Sequence, residues 1–518
     1  MIKTKINRHD LEYFLFAMVR AFFKEAEVIP PDTSAKNLAP DDEGDDEDVL
    51  ACELIEENKT LSVEIKKGKY LKEDYYRLYN ISAPFTKENE EPDIEKEQFF
   101  KDEVRGYIYD SFCECSGITL PWGNLTGIRP TKLYLSKLME FQKEKNGEIW
   151  PFDEDIVEKT ISNMSDIFRV DRNKGELGTG IAIREQGIMN SLHGKDGYSV
   201  YIGIPFCPST CLYCSFTSNP VFSFKDKIAT YLDCVKKELE ATAELMKDYT
   251  LDTIYIGGGT PTSISAEELD VLLNCVVTTL PMDTVREFTV EAGRPDSITR
   301  EKLECLKRYP VTRISINPQT MSDKTLKYIG RNHSVSQFLD AFKMARELGF
   351  DNINTDIILG LPEETVDDVK NTIDEIKKLN PESLTVHSLA IKRASRLKMW
   401  MDKNGMSDLR STFDFDEAMN IANQGARAMD MNAYYMYRQK DMGGNLENTG
   451  FAREGKYGLY NILMMEEVQS IVACGAGTVT KRVFEDGHIE RCDTIKDVDL
   501  YISKIDEMIE RKQKLFWT

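Results

Sequence analysis

The sequence has few of the features that mark secreted, membrane-spanning or nucleic-acid-binding proteins. Its 518 residues include only 11 cysteines, an odd number that is too sparse for a disulfide framework. No apolar run is long enough to cross a bilayer. The early stretch LEYFLFAMVRAFF contains Glu12 and Arg20, which favours an amphipathic helix over a signal peptide. A net charge of −22 would repel a phosphate backbone. These absences predict a cytoplasmic protein with no membrane and no nucleic-acid partner.

The middle of the chain has the pattern of a parallel sheet. Between Tyr198 and Leu389, short β-branched runs alternate with helical patterns, which is typical of βα units. The six predicted strands are YSVYIGI, TIYIGGG, REFTVEA, VTRISI, NINTDIIL and SLTVHSL. Apolar residues such as Ile228, Leu232, Val235 and Leu239 recur at helical spacing between strands, as in helices that cover a sheet. We therefore expect an α/β fold with a partial (β/α)6 TIM-like barrel over residues 196–392, whose functional groups lie at the C-terminal ends of the strands.

The flanking regions predict two further domains. Residues 1–195 predict an N-terminal α+β domain of unknown role, with strands around 50–66 and a helix near 93–112. Its acidic run at 41–48 is interpreted as a solvated loop. Cys113 and Cys115 form a CxC pair, which is interpreted as two structural or incidental thiols, with a metal-binding pair as the alternative. Residues 393–518 predict a smaller C-terminal α/β domain that covers the substrate. It should contain helices near 411–430 and 494–514, and a hairpin that turns at Asp486 and Gly487.

The most specific motif is the run YIGIPFCPSTCLYCSF, in which Cys207, Cys211 and Cys214 have CxxxCxxC spacing. Three thiolates at this spacing indicate a [4Fe-4S] cluster with one iron left open, since electron carriers use four cysteines. The familiar ligand of such an open iron is S-adenosylmethionine. The alternatives are a zinc site or buried thiols. Zinc would require a fourth ligand nearby, and His193 and Cys234 do not have suitable spacing.

Polar and glycine-rich segments follow the other predicted strands. The segment GGGTPT, Gly257 to Thr262, would let a ligand approach the backbone closely. Glu291, Gln319 and Asp356 come at later strand ends, where they could hydrogen-bond the hydroxyl and amino groups of a nucleoside. Arg331 in IGRNH could bind a carboxylate through two hydrogen bonds.

Taken in order, YIGIPFCPSTCLYCSF, GGGTPT, EAGRP, SINPQT, IGRNH and NTDIILGLP resemble the radical S-adenosylmethionine (radical SAM) family of oxygen-independent coproporphyrinogen III dehydrogenases over about residues 198–390. The resemblance implies that Cys207, Cys211 and Cys214 hold the [4Fe-4S] cluster. It also implies a set of residues that line the S-adenosylmethionine and nucleoside sites, namely Tyr201, Tyr213, Gly258, Gly259, Thr260, Glu291, Gln319, Arg331, Asp356 and Ala390.

Two departures from the family pattern assign the chain to a branch. The dehydrogenases proper have a fourth cysteine where this chain has Phe216, whereas haem chaperones share the phenylalanine. Haem chaperones carry a His-Asn-x-x-Tyr-Trp signature, but the corresponding stretch YYMYRQKDMGGNLENTGF contains no histidine. The chain is therefore most similar to the HemZ-type branch, whose long N-terminal extension would account for residues 1–195.

The resemblance implies that a 5'-deoxyadenosyl radical, generated at the cluster, starts the conversion of coproporphyrinogen III propionates to vinyl groups. A reductase, flavodoxin or ferredoxin would donate electrons. On the substrate side, a tetrapyrrole requires cations and an apolar wall. We expect these from Lys392, Arg393, Arg396 and Lys398, from Tyr434, Tyr435, Tyr437 and Arg438, and from the segment CGAGTVTK at 474–481, although each is also typical of surface, core or turn positions. The alternatives are a haem-binding chaperone and a radical SAM methyltransferase that degrades haem anaerobically.

Overall fold

The structure is a computed structural model that describes residues 2–23, 48–55, 59–66, 73–83, 94–127, 129–214, 216, 218–391, 396–403, 413–439 and 445–517. The strands are β1 (Ile2–Ile6), β2 (Asp48–Ile55), β3 (Thr60–Ile65), β4 (Tyr75–Asn80), β5 (Gly197–Ile204), β6 (Phe206–Cys207), β7 (Asn219–Pro220), β8 (Thr250–Gly258), β9 (Glu287–Gly293), β10 (Arg313–Ile316), β11 (Ile353–Leu359), β12 (Ser383–Ser388), β13 (Asn432–Tyr437), β14 (Asn448–Ala452), β15 (Ser470–Cys474), β16 (Val479–Val483) and β17 (Ile489–Asp493).

The helices alternate with these strands along much of the chain. They are α1 (His9–Phe22), α2 (Ile94–Ser116), α3 (Pro130–Asn146), α4 (Glu154–Phe168), α5 (Arg172–Met189), α6 (Ile228–Leu245), α7 (Ala266–Thr279), α8 (Arg300–Arg308), α9 (Asp323–Tyr328), α10 (Val335–Glu347), α11 (Val366–Leu379), α12 (Arg396–Lys403), α13 (Phe415–Ala428), α14 (Leu459–Glu466), α15 (Val498–Ser503) and α16 (Ile505–Trp517). None of the described helices combines the length and the apolar character that a bilayer crossing requires.

The chain divides into two compact units, Met1–Thr179 and Gly180–Thr518. In the first unit, the sheet order is β1-β2-β3-β4, with β1 parallel to β2 and the other pairs antiparallel. Helices α1 and α2 bury apolar side chains, including Leu11, Leu15, Phe100 and Val104, in a core that also contains Leu61. The acidic run at 41–48 lies outside the described residues except for Asp48, which begins β2. The division of the chain at 195 and 392 stays a prediction.

The second unit is built on the predicted parallel sheet. All six predicted strands are present as β5, β8, β9, β10, β11 and β12, and neighbours in this order pair in parallel. The full sheet order is β13-β14-β12-β11-β10-β9-β8-β5-β15-β16-β17, so the sheet stays open. Residues after 430 therefore supply strands at both edges of the sheet. The α/β prediction with a partial barrel is confirmed.

Local sequence explains where the covering helices begin and which face they bury. Ile228, Leu232, Val235 and Leu239, which share the predicted face of α6, are all buried. Such burial stabilises a helix more than its intrinsic propensity does. The N-termini of α7, α10 and α11 carry capping boxes, each of which contributes about 1 kcal/mol. The capping pairs are Ser265 with Glu268, Ser334 with Gln337 and Thr365 with Asp368.

The C-terminal segment confirms the predicted hairpin and corrects the predicted last helix. Strands β16 and β17 pair antiparallel across a turn in which Gly487 has a φ of +85°. The helix predicted near 494–514 is instead two helices, α15 and α16, because the chain leaves the helical conformation at Lys504, where φ is −120°.

A buried ionic network ties these C-terminal helices to the sheet. The side chains of Glu238 on α6 and Lys512 on α16 form an ion pair and are only 1% and 3% exposed. One oxygen of Glu238 also accepts hydrogen bonds from the backbone N–H of Gly475 and from the Tyr501 hydroxyl, both at 2.6 Å. The Lys512 ammonium donates to the carbonyl of Ala473 in β15. The network therefore joins α6, β15, α15 and α16.

Candidate active site

A cavity of about 250 Å3 lies at the C-terminal ends of the parallel strands. Every residue expected to bind the cluster, S-adenosylmethionine or the nucleoside, except Tyr201, lines it. The set comprises Cys207, Cys211, Tyr213, Cys214, Gly258, Gly259, Thr260, Glu291, Gln319, Arg331, Asp356 and Ala390. The carboxyl ends of parallel strands meet at one edge of a sheet, so strand-end residues that are distant in sequence converge there.

The cysteine loop is anchored by the short strand pair β6–β7 and by the residues that follow α9. Cys207 ends β6, which pairs with β7. The backbone N–H of Leu212 donates to the carbonyl of Ile329 at 2.8 Å, and the Ser209 hydroxyl donates to the carbonyl of Gly330 at 3.3 Å. These bonds fix the loop so that all three cysteines border the cavity.

The three cysteines border one cavity, as the ligands of an iron-sulfur cluster would. Among the described parts of the chain, no three Cys, His, Asp or Glu side chains converge as ligands of a single metal ion. A cluster does not need such convergence, because each cysteine binds a different iron. Burial raises the pKa of the Cys207 thiol to about 11, so coordination to a metal would be needed to hold this cysteine as a thiolate at neutral pH.

The glycine-rich segment at the end of β8 packs directly against the cysteine loop. A Cβ on Gly259 would lie 2.5 Å from the carbonyl oxygen of Phe206 and 2.9 Å from Cys207 Sγ. At Gly258, the φ of +108° belongs to the region that favours glycine. The backbone N–H of Thr260 donates to the carbonyl of Phe206 at 2.7 Å. Glycine is therefore required here for the close approach of two backbones beside the first cysteine.

Two carboxyl groups border the cavity in different protonation environments. Burial raises the pKa of Glu291 to about 7, although the Tyr255 hydroxyl donates a hydrogen bond to it. Burial also disfavours ionisation of Asp356, but His387, 3.9 Å away, and Asn354, which donates at 2.7 Å, hold the pKa of Asp356 below its usual value. Both groups can accept hydrogen bonds from ligand hydroxyls.

A chain of hydrogen bonds links Gln319 and Arg331 to Tyr213 of the cysteine loop. The Tyr213 hydroxyl donates to Gln319 Oε1 at 3.0 Å and accepts from Arg331 Nε at 3.2 Å. Arg331 Nη1 also donates to the carbonyl of Asn317 at 2.9 Å. Gln319 has a φ of +68°. Its backbone N–H donates to the carbonyl of Asp356, and its carbonyl accepts from the backbone N–H of Ile358. Arg331 is thus held with its guanidinium at the cavity wall.

Tyr201 lies outside the cavity lining that the sequence predicts for it. Its ring stacks with those of Tyr255 and Tyr460 at centroid distances of 6.0 and 6.1 Å. It belongs to the middle of β5, three residues before the strand ends at Ile204, and does not line the cavity.

The sequence did not single out Arg294 and His387, and both line the cavity. Arg294, within EAGRP, directly follows β9, and its Nη1 lies 3.5 Å from Cys211 Sγ. His387 is part of the predicted strand SLTVHSL. The signal in the sequence was their position at the ends of predicted strands. That position alone did not identify them, because side chains alternate between the two faces of a strand, and the sequence does not show which face a given residue occupies.

The expected substrate side is only partly present around the cavity. Lys392 and Arg393 lie outside the described residues. Arg396 Nη1 donates to the carbonyl of Thr210 at 3.0 Å, so it supports the cysteine loop. Arg438 is buried, which lowers its pKa to about 10, and its Nη2 donates to Asn445 at 3.1 Å. Only Tyr437 of the predicted tyrosine wall lines the cavity, while Tyr434 and Tyr435 pack in a buried cluster.

The segment CGAGTVTK supports the sheet and does not border the cavity. A Cβ on Gly475 would lie 2.5 Å from the carbonyl oxygen of Gly203 near the end of β5. The Tyr231 hydroxyl bridges the two strands, because it donates to Gly203 at 2.6 Å and accepts from the N–H of Ala476 at 3.1 Å. The segment therefore packs against the strand that leads into the cysteine loop.

Sequence comparison with known proteins agrees with the assignment of this cavity to a radical SAM site. Residues 201–376 match the Radical SAM superfamily. The chain is 37% identical over 484 residues to the oxygen-independent coproporphyrinogen-III oxidase-like protein HemZ of Bacillus subtilis, which covers 90% of this chain and 89% of that protein. It is 39% identical over 194 residues to the heme chaperone HemW of the same organism, over 37% of this chain and 50% of that protein.

Among solved structures, the coproporphyrinogen III oxidase HemN of Escherichia coli is similar with a TM-score of 0.47 and 18% identity, over 62% of this chain and 73% of that chain. The identity and coverage of the HemZ match decide the family. The chain belongs to the HemZ-type family of oxygen-independent coproporphyrinogen-III oxidase-like proteins within the radical SAM superfamily, whose cofactors are a [4Fe-4S] cluster and S-adenosylmethionine.

Proposed function

We propose that the chain converts coproporphyrinogen III towards protoporphyrinogen IX by oxygen-independent oxidative decarboxylation of two propionates to vinyl groups. The observation that carries this proposal is the convergence of three cysteines and the nucleoside-binding candidates on one cavity. The relative that matches 90% of the chain is named as coproporphyrinogen-III oxidase-like, which supports the choice of substrate. The expected setting is the cytoplasm.

For each propionate, the reaction removes a hydrogen atom from the β-carbon, releases CO2 and passes one electron to a one-electron acceptor, which leaves a carbon–carbon double bond. When bound, the cluster and S-adenosylmethionine supply one-electron reduction and hydrogen-atom abstraction. A reductase, flavodoxin or ferredoxin would donate the electron that starts each cycle.

The chain's own residues bind and orient in this proposal. Cys207, Cys211 and Cys214 hold the cluster. Arg331, fixed by Tyr213 and the carbonyl of Asn317, binds a carboxylate of the nucleoside ligand. The remaining predicted residues at the cavity place the adenosine, with the carboxyl groups of Glu291 and Asp356 accepting from hydroxyls.

Residues from the C-terminal part of the chain complete the cavity. Tyr437, Gln439 and Asn448 line it together with His387. Asn448 is held in place because its side-chain oxygen accepts from the N–H of Ser388 at 2.9 Å. These contacts support the proposal that residues after 393 cover the substrate.

An anaerobic assay tests the function. Protein reconstituted with iron and sulfide is mixed with S-adenosylmethionine, a low-potential reductant, a one-electron acceptor and coproporphyrinogen III, and the products are resolved by mass spectrometry. We expect one- and two-vinyl products. Cys211→Ala should lose both the cluster absorbance and the products, whereas Cys492→Ala, on β17 away from the cavity, should retain both. Cleavage of S-adenosylmethionine without a decarboxylated tetrapyrrole would refute the proposal, and a linear tetrapyrrole would indicate haem degradation.

Haem binding is the second candidate function. Phe216 stands where a fourth cysteine would be, the relative HemW is named a heme chaperone, and His387 lines the cavity. Haem titration of the full chain distinguishes this function: stoichiometric binding with a Soret shift, lost in His387→Ala and retained in His488→Ala on the exposed hairpin, would favour it if no decarboxylation occurs.

A further inference from the structure

Arg294 is a buried cation beside the second cysteine of the motif. Its side chain is only 4% exposed. Its Nη1 donates to the carbonyl of Ser209 at 2.8 Å and lies 3.5 Å from Cys211 Sγ. The guanidinium therefore contacts the cysteine loop from the end of β9, where sulfur and nitrogen are within hydrogen-bonding distance.

Asp296 fixes the direction of this guanidinium. Arg294 Nε donates to Asp296 Oδ1 at 3.0 Å, and Arg294 Nη2 donates to Oδ2 at 2.7 Å. Both carboxylate oxygens thus accept from Nε and Nη2 of the guanidinium, and Nη1 remains to contact the cysteine loop. The Asp296 side chain is 13% exposed, so water screens this pair only weakly.

We propose that Arg294 sets the reduction potential of the cluster by hydrogen-bonding and charge stabilisation at Cys211, and that Asp296 limits the size of this effect. The inference rests on the proposed assignment of the three cysteines as cluster ligands. A one-electron reduction adds negative charge to the cluster and its thiolates. A buried cation stabilises the reduced form more than the oxidised form, and hydrogen bonds to cluster sulfurs are known determinants of potential. Arg294 therefore makes the cluster easier to reduce.

A merely structural role for Arg294 predicts a different outcome. The hydrogen bond to the carbonyl of Ser209 would hold the loop whether or not charge reached the sulfur, and its loss would change cluster content or stability. The potential of those clusters that do assemble would stay the same. The potential is therefore the measurement that separates the two roles.

The test is a potentiometric titration of the reconstituted full chain, followed by electron paramagnetic resonance of the reduced cluster. In Arg294→Gln, we expect the ratio of reduced to oxidised cluster at a fixed potential to fall about tenfold or more, which corresponds to a midpoint about 59 mV lower for one electron. In Asp296→Asn, which removes the counter-charge and keeps the cation, the midpoint should rise. Arg300→Gln serves as the matched control, because Arg300 is about half exposed and pairs with Glu347, and its midpoint should not change.

Each outcome decides the matter. An unchanged midpoint in Arg294→Gln with full cluster content overturns the proposal. If Arg294→Gln does not assemble a cluster, the sign of the shift in Asp296→Asn decides, and a shift to lower potential or no shift overturns it. If the unsubstituted chain assembles no cluster, the ligand assignment and this inference are both overturned. If the midpoint potentials shift as expected but no decarboxylation occurs, only the proposed function is affected.

Discussion

Replacement of Lys512 by methionine tests the buried network behind the cysteine loop. Lys512 and Glu238 are 3% and 1% exposed. Burial lowers the pKa of Lys512, but the Glu238 carboxylate more than offsets this and holds that pKa above its usual value, so the pair is ionic. Lys512→Met would leave the carboxylate buried without its cation.

The expected loss of stability follows from the remaining contacts of Glu238. Removal of one partner of a buried ion pair costs about 3–5 kcal/mol. Glu238 would keep its hydrogen bonds from Gly475 and Tyr501, both at 2.6 Å. We therefore expect a loss near the lower end, about 3 kcal/mol. The double variant Lys512→Met with Glu238→Gln should recover most of it, because no charge is then buried.

Denaturant unfolding of the full chain, followed by circular dichroism, measures the change. The matched control is Lys514→Met on the same helix, because Lys514 is 69% exposed and pairs with Glu510; its effect should stay within about 0.5 kcal/mol. Equal stabilities for Lys512→Met and Lys514→Met would refute the reasoning, as would a double variant that is less stable than Lys512→Met alone.

Two further predictions concern the cavity. Gly259→Ala should lower the iron content after reconstitution, because its Cβ would lie 2.5 Å from the Phe206 oxygen and 2.9 Å from Cys207 Sγ. The control Gly127→Ala, where a Cβ meets open space, should bind iron normally. Equal iron content in the two variants would contradict the close packing of Gly259 against the cysteine loop. The raised pKa of Glu291, about 7, means that its contribution to stability is present below about pH 4.5 and is lost as pH rises through 7, by up to about 3 kcal/mol. Glu291→Gln should flatten the measured dependence of unfolding free energy on pH over this range, and an unchanged slope would exclude Glu291 as its source.

The central part of the fold could be predicted because its signals are local. Each of β5 and β8 to β12 has a β-branched run, and the intervening helices have apolar faces that the sheet buries. The candidate site followed from the same pattern, since strand ends in a parallel sheet converge. The motif that contains Tyr201 predicts this residue at the cavity, but three further residues of β5 separate it from the strand end, and its ring packs against Tyr255 and Tyr460.

The edges of the sheet could not be predicted in the same way. β15 pairs in parallel with β5, and β14 pairs antiparallel with β12. Such pairings join segments far apart in sequence, and they leave no local periodicity that would identify the partner strand. The proximity of Arg294 to Cys211 likewise depends on the end of β9 reaching the cysteine loop, which only the assembled sheet determines.

The pairing of β5 with β15 also bears on when the cysteine loop can take its final form during synthesis. Ser470 to Cys474 pair with Tyr198 to Ile202, so one edge of β5 has no partner until Cys474 has been synthesised. Contacts of such wide sequence separation form late, because loop closure must precede them. The pairing of the strand that leads to Cys207 is then completed only after β15 has been synthesised, and we expect iron-sulfur assembly at this loop to follow that step.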